Sequence, residues 1–177
     1  MTRLRVPLTP QDHALGDDNA LVTVVEYGDY QCPHCAAAQP VVGQILEHFG
    51  DRLRLVYRHF PLAEVHPIAT PAAEMAEFAG SRGLFWQMHQ SIFAAQPRLS
   101  VPLLISLAAQ LKLPPVAARD ALASGTFVPK VQRDFSGGLR SGVNGTPTFF
   151  INGVRHDASF DYGTLLEAIE QAAGSAR

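Results

Sequence analysis

Apolar residues recur along this chain with two different periods. Leu21 to Tyr27, LVTVVEY, is a β-branched run of strand length with little alternation, the pattern of a strand buried on both faces. After Pro33 the period becomes helical: Val41, Ile45 and Phe49 share one face, with Val42 and Leu46 beside them. Pro33 suits a first helical turn, Pro40 predicts a kink, and Gly50 is placed to end the helix. Arg52 to Phe60, RLRLVYRHF, sets Leu53, Leu55 and Tyr57 at alternate positions and reads as a second strand. Strand, helix, strand at these lengths is a βαβ unit.

From Pro67 to about Gly142 the strand pattern disappears and four or five short helices are predicted. One covers roughly residues 67–80, a second carries Phe85, Trp86, Met88, Ile92 and Phe93, and a third follows Ser100. A fourth follows Pro114-Pro115, and the last carries Val128, Val131, Phe135 and Leu139. The end returns to sheet. Thr148 to Ile151 is a short strand, Asn152-Gly153 is a strong two-residue hairpin signal, and Val154 to His156 pairs back. A helix over about 161–173 follows, with Tyr162, Leu165, Leu166 and Ile169 on one face. Residues 1–19 are polar and proline-punctuated and read as an arm or loop. The expected architecture is an α/β domain in two segments, 1–66 and 142–177, with a helical insertion over 67–141.

Composition narrows the function. The chain has 177 residues, 47% of them apolar, and 14 basic against 16 acidic side chains for a net charge of −2. Such a balance argues against a nucleic-acid or anionic-membrane surface. The longest uncharged apolar window, Val101 to Leu111, is far short of the ~20 residues that span a bilayer, so no membrane insertion is expected. MTRLRVPLTPQDH lacks the apolar stretch of ~7–15 residues that a secretion signal needs. As written the chain reads as cytoplasmic; as the mature form of an exported protein it would be periplasmic or extracellular.

Both cysteines sit in one motif, Cys32-Pro33-His34-Cys35. A zinc site needs two more soft or imidazole ligands, and the histidines lack the spacing for one: His59 and His66 are seven apart. A structural disulfide here would close a tiny loop and remove little unfolded-state entropy. A redox pair gains from its position, where a strand delivers the chain into a helix N-terminus whose unpaired N–H groups and dipole stabilise a thiolate. Cys32, at the helix tip, is then expected to be exposed and to act as nucleophile, with Cys35 one turn in, buried and resolving the mixed disulfide. Protonated His34 adds a donor and a positive charge beside the Cys32 sulfur. A thiol whose pKa falls from ~8.5 to ~3.5 stabilises the reduced pair by ~4.7 kcal/mol at pH 7, about 100 mV toward a more oxidising couple. No cofactor or metal is called for. A Cu(I)-binding module using the two thiolates as soft ligands is the alternative from another class, though no methionine-rich or second thiol site accompanies it.

CPHC after a buried strand, RHFPL…HP ahead of the helical stretch, and GVNGTPTFFING after it resemble the DsbA-type branch of the thioredoxin superfamily. The resemblance covers roughly residues 18–173 and extends to domains appended to sodium/proton antiporters. It implies a thioredoxin-like fold with an inserted helical subdomain and exchange of disulfides with protein substrates, most simply as a dithiol oxidase. It also implies a cis peptide bond at Pro147, with Thr146 offering backbone to a substrate strand. Glu26 would be a buried acid accepting a proton from the resolving thiol, against the plainer reading of a solvated or arginine-paired carboxylate. Thr146 departs from the valine of DsbA and is closer to isomerase and reductase members, so a reductase or isomerase is the alternative direction. The redox partner implied is a DsbB-like quinone reductase for an exported protein, thioredoxin or glutathione for a cytoplasmic one. Tyr27, Tyr30 and Phe60 read as core more readily than as a substrate lip, Phe85, Trp86 and Phe93 as insert core, His59 and His66 as loop hydrogen-bonders, and Arg3 and Arg5 as solvated.

Overall fold

The apolar run and the alternating run of the sequence become neighbouring strands. The computed structural model describes residues 1–175. Its five-stranded sheet has the order β1-β3-β2-β4-β5, with β1 His13–Leu15, β2 Val22–Gly28, β3 Leu53–His59, β4 Thr148–Ile151 and β5 Val154–His156. β2 and β3 are buried along nearly their whole length, as a strand covered on both faces must be. β4 runs antiparallel to β2, with Tyr27 opposite Thr148 and Glu26 opposite Phe149. Asn152 (φ 45°) and Gly153 (φ 77°) turn β4 into β5, because a two-residue hairpin that follows strand twist needs positive φ at both positions.

Two compact units divide the chain. One comprises Met1–Gly28, Ala37–Arg58 and the residues from Gly137 onward; the other comprises Asp29–Ala36 and His59–Ser136. The first holds the sheet, apart from the last residue of β3, most of α1 (Pro33–Phe49), and α7 (Tyr162–Ser175). Pro40 lies inside α1 without ending it. The buried stripe of α1 is Ala38, Val42, Ile45 and Phe49, which leaves Val41 and Leu46 at its margins. With Val24, Leu55, Phe149, Leu165 and Ile169, Val42 and Ile45 line a void of only about 10 Å³, so this core is close-packed. Asp161 caps α7 by accepting from Thr164 N–H at 3.0 Å.

The N-terminal segment is more ordered than an arm or loop. His13–Leu15 pairs with β3, Leu4 N–H donates to Gly153 O (2.9 Å), and Arg155 N–H donates to Thr2 O (2.9 Å). Arg58 secures the stretch between. Its guanidinium donates to both Asp12 carboxylate oxygens (2.8 and 2.9 Å), to the Val6 and Pro7 carbonyls, and to Tyr27 Oη. These partners come from distant parts of the chain, which is why a three-residue strand leaves no local pattern. Arg3 and Arg5 are exposed, as read.

The second unit contains α2 (Ala69–Gly80), α3 (Phe85–Ala94), α4 (Val101–Gln110), α5 (Pro115–Ser124) and the larger part of α6 (Val128–Arg140). Its central helix α2 buries five alanines with Met75 and Phe78 and packs on α3, α4 and α5. Ser100 caps α4 through Leu103 N–H, and Gly125 ends α5 at φ 63°. Phe85 and Phe93 are core; Trp86 is only half-buried, at the rim of the same helix. Among the described residues no helix is long and apolar enough to cross a membrane.

Candidate active site

β2 ends at Gly28, where an added Cβ would lie 2.5 Å from Tyr57 Oη, so only glycine fits. The chain then turns through Asp29, Tyr30 and Gln31 and begins α1 at Pro33. Cys32 stands at the tip of that helix and Cys35 one turn in. Pro33 and His34 are exposed on the outside of this turn. Cys35 is fully buried, as expected, but Cys32 is 5% exposed, not the open thiol that its place at a helix tip suggests. Cys32 N–H donates to Asp29 O (3.2 Å), and Cys32 O accepts from Ala36 N–H (3.2 Å) and Gln96 Nε2 (2.9 Å).

Four side chains that the sequence did not single out, or left as loop contacts, hold this turn. Asp29, 1% exposed, accepts from Gln31 N–H on Oδ1 (2.7 Å) and from Leu62 N–H and His66 Nδ1 on Oδ2 (both 2.8 Å). Its own N–H donates to Cys35 Sγ at 3.4 Å. Gln31 Oε1 accepts from Ile68 N–H (2.7 Å), and Gln96 bridges the Tyr30 and Cys32 carbonyls. An aspartate three residues before a cysteine at a strand end was the available signal, since Asp favours such turns. The glutamines had none.

Tyr30 is core rather than lip. Its ring packs on Phe93 at 4.9 Å and its hydroxyl bonds His89 Nδ1 at 2.9 Å. Phe60 stacks on Phe135 at 4.5 Å, and Tyr27 is fully buried. His66 is a loop hydrogen-bonder, as its sequence position predicts, but His59 is not in a loop. It ends β3, buried, with Nε2 2.8 Å from Glu77 Oε1 and its N–H donating to Asp134 Oδ2. The ligand atoms of His59, Glu77 and Asp134 lie within 4.8 Å of one another, a spacing that suits a metal ion. The Lys130 ammonium, 2.6 Å from Asp134 and 3.8 Å from Glu77, already supplies the positive charge that those carboxylates need. The cluster is therefore a buried ion network tying β3, α2 and α6 together.

In the sheet-bearing unit, Glu26 is fully buried. One oxygen accepts from Gln39 Nε2 at 3.1 Å and the other has no hydrogen-bond partner. Burial pushes its carboxyl up to about 8, only partly offset by the Gln39 bond. The solvated or arginine-paired reading is thereby excluded. The Thr146–Pro147 peptide is cis, and both residues are half-buried. They lie just ahead of β4, whose first residue Thr148 pairs with Tyr27 of β2.

A family model described as Thioredoxin matches residues 8–171. The chain is 43% identical over 175 residues to a Na(+)/H(+) antiporter, NhaA 1, of Salinispora arenicola; the match covers 98% of this chain and 27% of the antiporter. The chain thus spans about a quarter of the length of that relative. Among solved structures, BdbD from Bacillus subtilis in its oxidised form is 28% identical, with a TM-score of 0.83 and coverage of 91% of this chain and 92% of that one. Wolbachia pipientis alpha-DsbA1 is 24% identical with a TM-score of 0.84, over 98% of this chain and 96% of that one.

Proposed function

Since the chain belongs to the Thioredoxin family and has a DsbA-like fold, we propose that it is a thiol–disulfide oxidoreductase of protein substrates, working as a dithiol oxidase through Cys32 and Cys35. The observation that carries this reading is the pair itself. It sits at a helix N-terminus, and the inner sulfur accepts a main-chain N–H from Asp29.

In the oxidised enzyme a substrate thiolate attacks Cys32 Sγ. The Cys32–Cys35 bond breaks, a mixed disulfide forms, and Cys35 leaves as a thiolate stabilised by the Asp29 N–H. A second substrate thiolate then attacks the substrate sulfur of that mixed disulfide and expels Cys32 as a thiolate, which the helix N-terminus and His34 stabilise. The substrate loses two electrons and two protons; the electrons end in the cysteine pair. Glu26, its carboxyl raised to about 8 by burial, serves in proton exchange with the resolving thiol. Pro33 sets the first turn of the helix, and Thr146 and Pro147 offer backbone to the substrate as an added strand. An oxidase pair is reset by an oxidant, a DsbB-like quinone reductase if the protein is exported or glutathione disulfide if it is cytoplasmic; running as a reductase, the pair is reset by thioredoxin or glutathione thiols.

Equilibration with glutathione buffers at pH 7 tests the direction. An oxidase should have a potential near about −120 mV. A value near or below about −230 mV turns the reading to a reductase. Failure to find any reversible two-electron couple removes the oxidoreductase reading altogether.

A further inference from the structure

Both cysteines are held by a single residue. The Asp29 carbonyl accepts the Cys32 N–H at 3.2 Å, and the Asp29 N–H donates to Cys35 Sγ at 3.4 Å. The carboxylate of the same residue is gripped from opposite sides. Gln31 N–H holds Oδ1 from within the turn, while Leu62 N–H and His66 Nδ1 hold Oδ2 from the segment after β3. With both oxygens engaged and the residue 1% exposed, the side-chain torsion and the peptide plane of Asp29 are fixed together. His66 is the outer end of this clamp, its side chain 20% exposed.

We propose that Asp29 is a positioning residue: by clamping its carboxylate, the 62–66 segment aims the Asp29 N–H at the Cys35 sulfur and so tunes the redox equilibrium of the pair. This rests on the thiol–disulfide reading above. The equilibrium is reduction of the Cys32–Cys35 disulfide by two glutathione thiols, giving the dithiol and glutathione disulfide, with two electrons and two protons passing to the pair. An N–H donor favours a thiolate over a disulfide sulfur, so a well-aimed bond shifts this equilibrium toward the reduced protein. The carboxylate also acts in the opposite sense, because its negative charge disfavours a nearby thiolate. The two effects predict opposite signs when the charge is removed.

The test is glutathione equilibration at pH 7 of the wild type, Asp29→Asn, His66→Ala and His66→Asn, with the melting temperature of each. Asparagine at 29 cannot accept from both sides, and its equilibrium constant should fall about tenfold, a potential about 30 mV more negative. His66→Ala keeps the charge and loosens the clamp, and should lower the constant about threefold. His66→Asn restores a neutral donor to Oδ2 and should return it to within twofold of wild type. A rise in Asp29→Asn means that the carboxylate acts as a bare charge, and overturns the proposal. So do constants unchanged within twofold while the melting temperatures drop, which is the mark of a merely structural role, or an asparagine at 66 no better than alanine. If Asp29→Asn does not fold, the His66 pair decides. Absence of a two-electron couple in the wild type overturns the oxidoreductase reading and this inference with it; a normal wild-type couple with unmoved variants overturns this inference alone.

Discussion

Replacing Glu26 by glutamine should make the folded protein more stable, and by an amount that grows with pH. The side chain is fully buried, with one oxygen bonded to Gln39 and the other unpartnered, so ionising it in place would strand a charge in the core. Below about pH 4.5 the carboxyl is neutral in both folded and unfolded chains and burial of a charge costs nothing. Above that the unfolded chain releases the proton while the folded one keeps it until about pH 8, so stability falls as pH rises through this window. The span from 4.5 to about 8, at about 1.4 kcal/mol per pH unit, amounts to about 5 kcal/mol, of which about 3 kcal/mol has accrued by pH 7. Glutamine has the same shape, keeps a partner for Gln39, and never ionises. Urea unfolding of both proteins between pH 4 and 9, with the cysteines held reduced so that the redox state is constant, reads the difference directly. The two curves should meet near pH 4 and separate steadily up to pH 8. A gap independent of pH, or a glutamine variant less stable at pH 7, refutes the argument. With Glu26 in proton exchange, as proposed above, the same substitution should flatten the pH dependence of disulfide exchange.

Further outcomes follow from the site and the fold. Cys32→Ser should abolish reduction of insulin disulfides, while Cys35→Ser should accumulate mixed disulfides with substrate, seen as a mass increase that a reductant removes; turnover by the Cys32 variant would exclude it as the nucleophile. Arg58→Ala takes the cation from the buried Asp12 carboxylate and the donors from the Val6 and Pro7 carbonyls, so unfolding free energy should drop by about 3–5 kcal/mol and proteases should cut within residues 1–15. An unaltered melting temperature with an uncut N-terminus would show that the arm is held by something else. Gly28→Ala drives a Cβ to 2.5 Å from Tyr57 Oη, and should cost about 1–3 kcal/mol by overpacking and displace the turn that follows; a neutral effect in urea unfolding would contradict the fit.

The periodic elements were legible because each is specified by residues within a few positions. The run over 21–27, the stripes of α1 and α7, the helix that follows Ser100 and the Asn152-Gly153 hairpin all emerge at or within a few residues of where the pattern set them. The cysteine pair was legible for the same reason, since strand, turn and helix N-terminus are contiguous. Its resemblance-based companions stood differently. The cis peptide at Pro147 followed from a family likeness, and the burial of Glu26 from that likeness together with its place in the run over 21–27; both are present. The burial of Cys32 was not legible, because a position at a helix tip says nothing about what covers the side chain.

Sequence alone thus determined the order of β2 to β5 and of the helices, the redox motif, and the element on which each cysteine sits, because backbone periodicity and turn chemistry act over short separations. Tertiary structure decided which polar groups meet. Asp29 and His66 are 37 residues apart, Gln96 and Cys32 64 apart, Arg58 and Asp12 46 apart. A buried polar atom must find a partner wherever folding brings one. Those pairings depend on how the whole chain closes, and they hold the reactive turn, pin the N-terminal strand, and leave one oxygen of Glu26 with no partner in the core.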